Sequence, residues 1–173
     1  HGPKGVGFAM VPKGMYIEPL IHGGEQEMGT RAGTENTHSI AGMGKALQMA
    51  LDNFETDREY VSGLKQYFIE QLKSNFNEIE FNGRSADPEK SAFHILSVRF
   101  PKDVPMLLFN LDLNGISASG GSACQSGSNK GSHVLSAILD EKESEKTSVR
   151  FSFSKHNTRQ EIDRVIGVLK DLI

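Results

Sequence analysis

The sequence is almost without cysteine: Cys124 is the only one in 173 residues. No internal disulfide can form, and the Cys and His spacing of a structural zinc site is missing as well. No apolar run approaches the ~20 residues of a membrane-spanning helix, and no signal peptide is read at the start. Neither sign of charge dominates. The net charge of −3 gives no electrostatic reason to expect a nucleic acid or an anionic membrane as partner. An unpaired cysteine fits a reducing compartment, so the expected location is cytoplasmic. Internal repeats and coiled-coil heptads are absent. So is an initiator methionine: His1-Gly-Pro-Lys-Gly-Val-Gly opens inside a loop-to-strand pattern, as expected of a piece of a longer chain.

What is present is the composition of a soluble globular chain, 37% hydrophobic and 24% charged. Its length suffices for one domain with a core, or a small domain plus part of another. Cys124 lies in Ser119-Gly-Gly-Ser-Ala-Cys-Gln-Ser-Gly-Ser-Asn-Lys-Gly-Ser132. A structural cysteine usually packs among apolar neighbours, whereas glycine and serine bury little and leave the backbone free. Two readings follow, a reactive loop thiol or a chance surface cysteine.

Hydrophobic periodicity orders the rest. Val6 to Val11 reads as a buried strand and Tyr16 to Asn36 as loop. Ile40, Met43, Leu47, Leu51 and Phe54, then Val61, Leu64, Phe68, Leu72 and Phe76, recur at helical spacing. They predict two successive helices, or one that bends near Glu55 to Arg58. Ile79 and Phe81 before Asn82-Gly83, then His94 to Phe100, predict two strands. Asp103 is expected to cap a helix that carries Leu107, Leu108 and Leu111 and stops at Asn114-Gly115. A short strand from Ile116 to Ser119 leads into the cysteine segment, and His133 to Leu139 reads as a short helix. On the last strand Val149, Phe151 and Phe153 share one face and Arg150 the other. Thr158 and Glu161 form a capping box for a final helix whose core side is Ile162, Val165, Ile166 and Leu169. The expected fold class is α/β, an α+β sandwich of helices on a small mixed sheet.

Four motifs, in order, resemble one family. They are Gly2-Pro-Lys-Gly5, His22-Gly-Gly-x-Gln-Glu-x-Gly-x-Arg-x-Gly-Thr34, Gly121-Ser-Ala-Cys124 with Ser126-x-Ser128, and Arg150-Phe-Ser152. Together they resemble the cysteine desulfurases of the class V aminotransferase group, in the branch of nitrogen fixation and iron–sulfur assembly. The resemblance implies a homodimeric enzyme of fold type I that uses pyridoxal 5'-phosphate (PLP). Such an enzyme converts L-cysteine to L-alanine and passes a persulfide to an acceptor or iron–sulfur scaffold protein. It also implies a division into residues 1–40, a remnant of the large PLP-binding domain, and 41–173, the small C-terminal domain.

Residue by residue, Cys124 matches the nucleophile and Arg150 the arginine that clamps the substrate carboxylate. Thr34 matches the threonine that reaches the cofactor phosphate of the other subunit. The family's Schiff-base lysine maps just ahead of His1, so this stretch alone is expected to be inactive, and Lys4 is a later lysine of that motif. No metal site is implied, and His22 and His38 read as loop histidines.

Each assignment has a plainer rival. Arg150 could be an exposed strand arginine paired with a carboxylate, and Gly33-Thr34 an ordinary helix cap. Glu27 and Arg31 are expected to brace their loop as an ion pair. Glu25, Gln125 and Asn129-Lys130-Gly131 depart from the common pattern, the last two in the cysteine segment, where acceptor choice is decided. A selenocysteine lyase, an aminotransferase-like relative and a non-catalytic acceptor-binding module remain alternatives.

Overall fold

The computed structural model describes residues 2–120 and 132–173. Cys124 lies in residues 121–131, outside the described residues. The chain divides into two compact units, His1–Phe54 and Glu55–Ile173. Their boundary lies within the paired helical stretch, whereas the resemblance implies a division between residues 40 and 41.

In the first unit the expected strand from Val6 to Val11 does not form: these residues have no strand partner, and Met10 is 90% exposed. A strand needs a neighbour for its backbone N–H and C=O groups. The only sheet among the described residues belongs to the second unit. The stretch to Asn36 is loop as expected, apart from one 3-10 turn at Gln26–Gly29. Asn36 then caps α1 (Thr37–Asp52) by accepting from Ser39 N. After a break at Asn53 comes α2 (Phe54–Asn75). The two-helix alternative is therefore the one adopted.

The second unit holds the core. Strands β1 (Glu80–Phe81), β2 (Ile95–Arg99) and β3 (Ser148–Ser152) form a sheet in the order β1-β2-β3. Both pairings are antiparallel, so the sheet is not mixed. Alternation along β2 and β3 buries Leu96, Val98, Val149 and Phe151 on one face. Against it pack Leu64, Phe68 and Leu72 of α2, Leu107 and Leu111 of α3 (Leu107–Leu113), and Ile162, Ile166 and Leu169 of α6 (Arg159–Leu172). Phe68 meets Phe151 edge to face at 4.9 Å between ring centres, the arrangement the ring quadrupoles favour. Each fully buried Leu or Phe contributes roughly 1.5–3 kcal/mol of apolar transfer free energy.

The capping box on α6 is present in both directions. Helix α3 differs from expectation at its start. Its N-cap is Met106, at φ 60°, while the Asp103 carboxylate accepts from the Thr147 hydroxyl at 2.7 Å. A tertiary partner has taken the expected capping group. The strand expected over Ile116 to Ser119 reduces to one bridge at Ser119. Helices α4 (His133–Ile138) and α5 (Glu141–Glu145) follow, the second without a periodic signal in the sequence because it buries nothing.

Candidate active site

Arg150 sits in the middle of β3, and the residues around it decide what it can do. On one side its Cα partner is Ser97 of β2. On the other it exchanges both backbone hydrogen bonds with Ser119, Arg150 N donating to Ser119 O at 2.7 Å and Ser119 N to Arg150 O at 3.1 Å. Directly paired residues, and those two apart on one strand, share a sheet face. Ser97, Ser119, Ser148 and Ser152 therefore surround Arg150 on the face away from the core. The guanidinium is half-buried and, among the described residues, makes no ion pair or side-chain hydrogen bond. The plainer reading, an arginine already spent on a nearby carboxylate, does not hold among these residues.

The Ser119 bridge also ties the cysteine segment to Arg150. Gly120, the last described residue before that segment, backs onto the side chain of Leu108: a Cβ built there would meet Leu108 Cδ1 at 2.4 Å. The run leading to Cys124 thus leaves from the sheet edge next to Arg150. Cys124 itself lies outside the described residues.

Farther along the same face a second arginine is ion-paired. Arg99 is 6% exposed and ion-pairs with Glu80, and with Glu143 of α5 at 2.9 Å. Its Nη1 donates to Asn82 Oδ1 at 2.7 Å. Asn82, itself buried, turns its amide nitrogen to Ser97 Oγ and Ser148 Oγ, each at 3.0 Å. The hydrogen bond from Lys146 holds the Glu143 carboxyl below its ordinary pKa, and the positive charge of Arg99 adds to this. Sequence reasoning missed this network. Its signal was there, because alternation along Ile95-Leu96-Ser97-Val98-Arg99 puts Ser97 and Arg99 on one face with Arg150. Asn82, read as a turn residue, gave no such signal.

Thr34 belongs to the first unit, is exposed and makes no side-chain hydrogen bond among the described residues. It is not the cap of α1; Asn36 is. Its loop is braced differently from expectation. Gly33 N donates to Gln26 Oε1 at 3.0 Å, and Ala32 N to Ile21 O at 3.2 Å. Arg31 reaches the Gly33 carbonyl at 3.4 Å instead of Glu27. The positive φ of Glu27, 49°, belongs to the 3-10 turn that carries Gln26 and Glu27. Among the described residues no three of His, Cys, Asp and Glu gather as metal ligands, and no helix is long and apolar enough to cross a membrane.

The profile of the family described as Aminotransferase class-V matches residues 1–165. The whole chain is 38% identical to the cysteine desulfurase IscS of Dictyoglomus turgidum and 40% identical to that of Clostridium botulinum. It spans 43% and 44% of their lengths, less than half of each curated relative. Among solved structures, a NifS-like protein superposes on 99% of this chain at a TM-score of 0.80 and 30% identity, with 43% of its own length covered.

Proposed function

The chain belongs to the class-V aminotransferases, and from that premise we propose that it is the C-terminal part of a PLP-dependent cysteine desulfurase, with Cys124 as the sulfur acceptor. The observation that carries the proposal is the Ser119–Arg150 bridge. Among the described residues the Arg150 guanidinium meets no carboxylate, and the Arg150 backbone is hydrogen-bonded to Ser119, at the root of the segment that holds the only thiol.

Each residue has a task. Arg150 grips the carboxylate of L-cysteine by its planar fork, held in direction by ladders on both sides of β3. The Cys124 thiolate takes the substrate sulfur; L-cysteine and one thiol become L-alanine and one persulfide, with no external oxidant or reductant. PLP, when bound, supplies the electron sink for breaking the carbon–sulfur bond. The donor this chain would offer it is the Thr34 hydroxyl, uncommitted and on a loop tied down by Gln26, consistent with a role at the cofactor phosphate of the other subunit of a homodimer. The persulfide then passes to an acceptor or iron–sulfur scaffold protein, as a cytoplasmic step.

The test uses the full-length protein loaded with PLP. Incubation with L-cysteine should release alanine and add about 32 Da, one sulfur atom, to Cys124. Cys124→Ser should abolish the adduct. Alanine formed with no adduct on Cys124 in the wild type would overturn the proposal.

A further inference from the structure

Resting on the reading of Arg150 as the carboxylate clamp, we infer that Ser97 and Ser148 give two further hydrogen bonds to the same carboxylate. Asn82 is the positioning residue that makes them donors. The argument is one of hydrogen-bond direction. A guanidinium only donates, so the Asn82 oxygen must face Arg99 Nη1, 2.7 Å away. The Asn82 amide nitrogen therefore faces the serines, and it too only donates. Both hydroxyls, at 3.0 Å, accept from Asn82 and keep their own protons. Among the described residues neither proton is given to another acceptor.

Ser97 is the cross-strand partner of Arg150, and Ser148 precedes it by two on β3, so the three share a face. All are half-buried and not sealed off. The acidic side chains bound to this network, Glu80 and Glu143, are ion-paired with Arg99, and Glu143 with Lys146 as well. Among the described residues, the carboxylates bound to this network are thus already paired with cations and do not compete for these donors. A carboxylate has more lone-pair sites than one guanidinium fork fills, and these hydroxyls match what remains.

The experiment measures KM and kcat of the full-length, PLP-loaded protein with L-cysteine and with its methyl ester, which lacks the carboxylate charge. Ser97→Ala with Ser148→Ala should raise KM for L-cysteine roughly tenfold or more, leaving the ester and kcat near wild type. Asn82→Asp keeps the hydrogen bond from Arg99 but offers the serines an acceptor, which draws their protons inward. It should reproduce the same selective loss, and each serine single variant should show part of it. Equal losses on both substrates would mark a structural role and overturn the inference. If Arg150→Gln raises KM for L-cysteine selectively while the serine variants do not, the inference falls and the clamp stands. If Arg150→Gln is not selective either, both fall.

Discussion

Two arginines on one sheet face have opposite surroundings. Arg99 is buried, and a buried guanidinium persists only when carboxylates and hydrogen bonds replace its water; Glu80, Glu143 and Asn82 do so. Arg150 has serines for neighbours and keeps its charge for something outside the described fold. Arg150→Gln in the full-length protein should raise KM for L-cysteine by about 100-fold, the loss of a charge-assisted bidentate contact, with folding unchanged; a KM within a few-fold of wild type would contradict the clamp. At Glu143 the sign of the pH dependence follows from its carboxyl being held below the ordinary value of 4.5. Just below that pH the unfolded chain binds the proton and the folded one does not, so stability falls as pH drops through this range. Denaturant titrations from pH 6 down to about 3 should show a shallower decline for Glu143→Gln than for wild type. Alternation along β3 was enough to put Arg150 on the non-core face. It could not tell a paired from an unpaired arginine, because the pairing depends on residues far away in sequence.

At the scale of elements, the helices separate by what they bury. Helix α6 carries its own start signal and its own core stripe, so sequence and structure agree on it. Thr158→Ala removes one direction of the capping box and should cost about 1 kcal/mol, read as a lowered denaturation midpoint with an unchanged m-value. Helix α1 has the same periodicity but no buried residue in the described chain. Periodicity predicts a helix and an apolar face; it does not say what covers that face. The run from Val6 to Val11 fails for a related reason, since an apolar stretch specifies no partner strand. Asp103 shows a third kind of miss, in which a good capping residue binds Thr147 instead. Local preference proposed the cap, and a hydroxyl 44 residues on claimed it.

At the scale of the molecule, the buried apolar residues concentrate in the unit Glu55–Ile173, while the unit His1–Phe54 contributes Ala32 to them. Leu20 and Met28 are 95% and 97% exposed. Local stability follows buried contact, so amide hydrogen exchange of this chain should be fast throughout residues 2–52 and slowest in β2, β3 and α6. Equal protection of α1 and α6 would contradict this. The identities and order of the residues alone determined α2 and α6 of the second unit, the inward face of β3, and the family to which the chain belongs. These depend on period, caps and motif, all of which are local. Only tertiary structure decided that Arg150 is unpaired among the described residues, that Ser119 joins it to the root of the cysteine segment, and that the Asn82 amide donates to two serine hydroxyls. Each of those depends on which distant donors and acceptors meet, and hydrogen-bond direction is settled only once every partner in the network is in place.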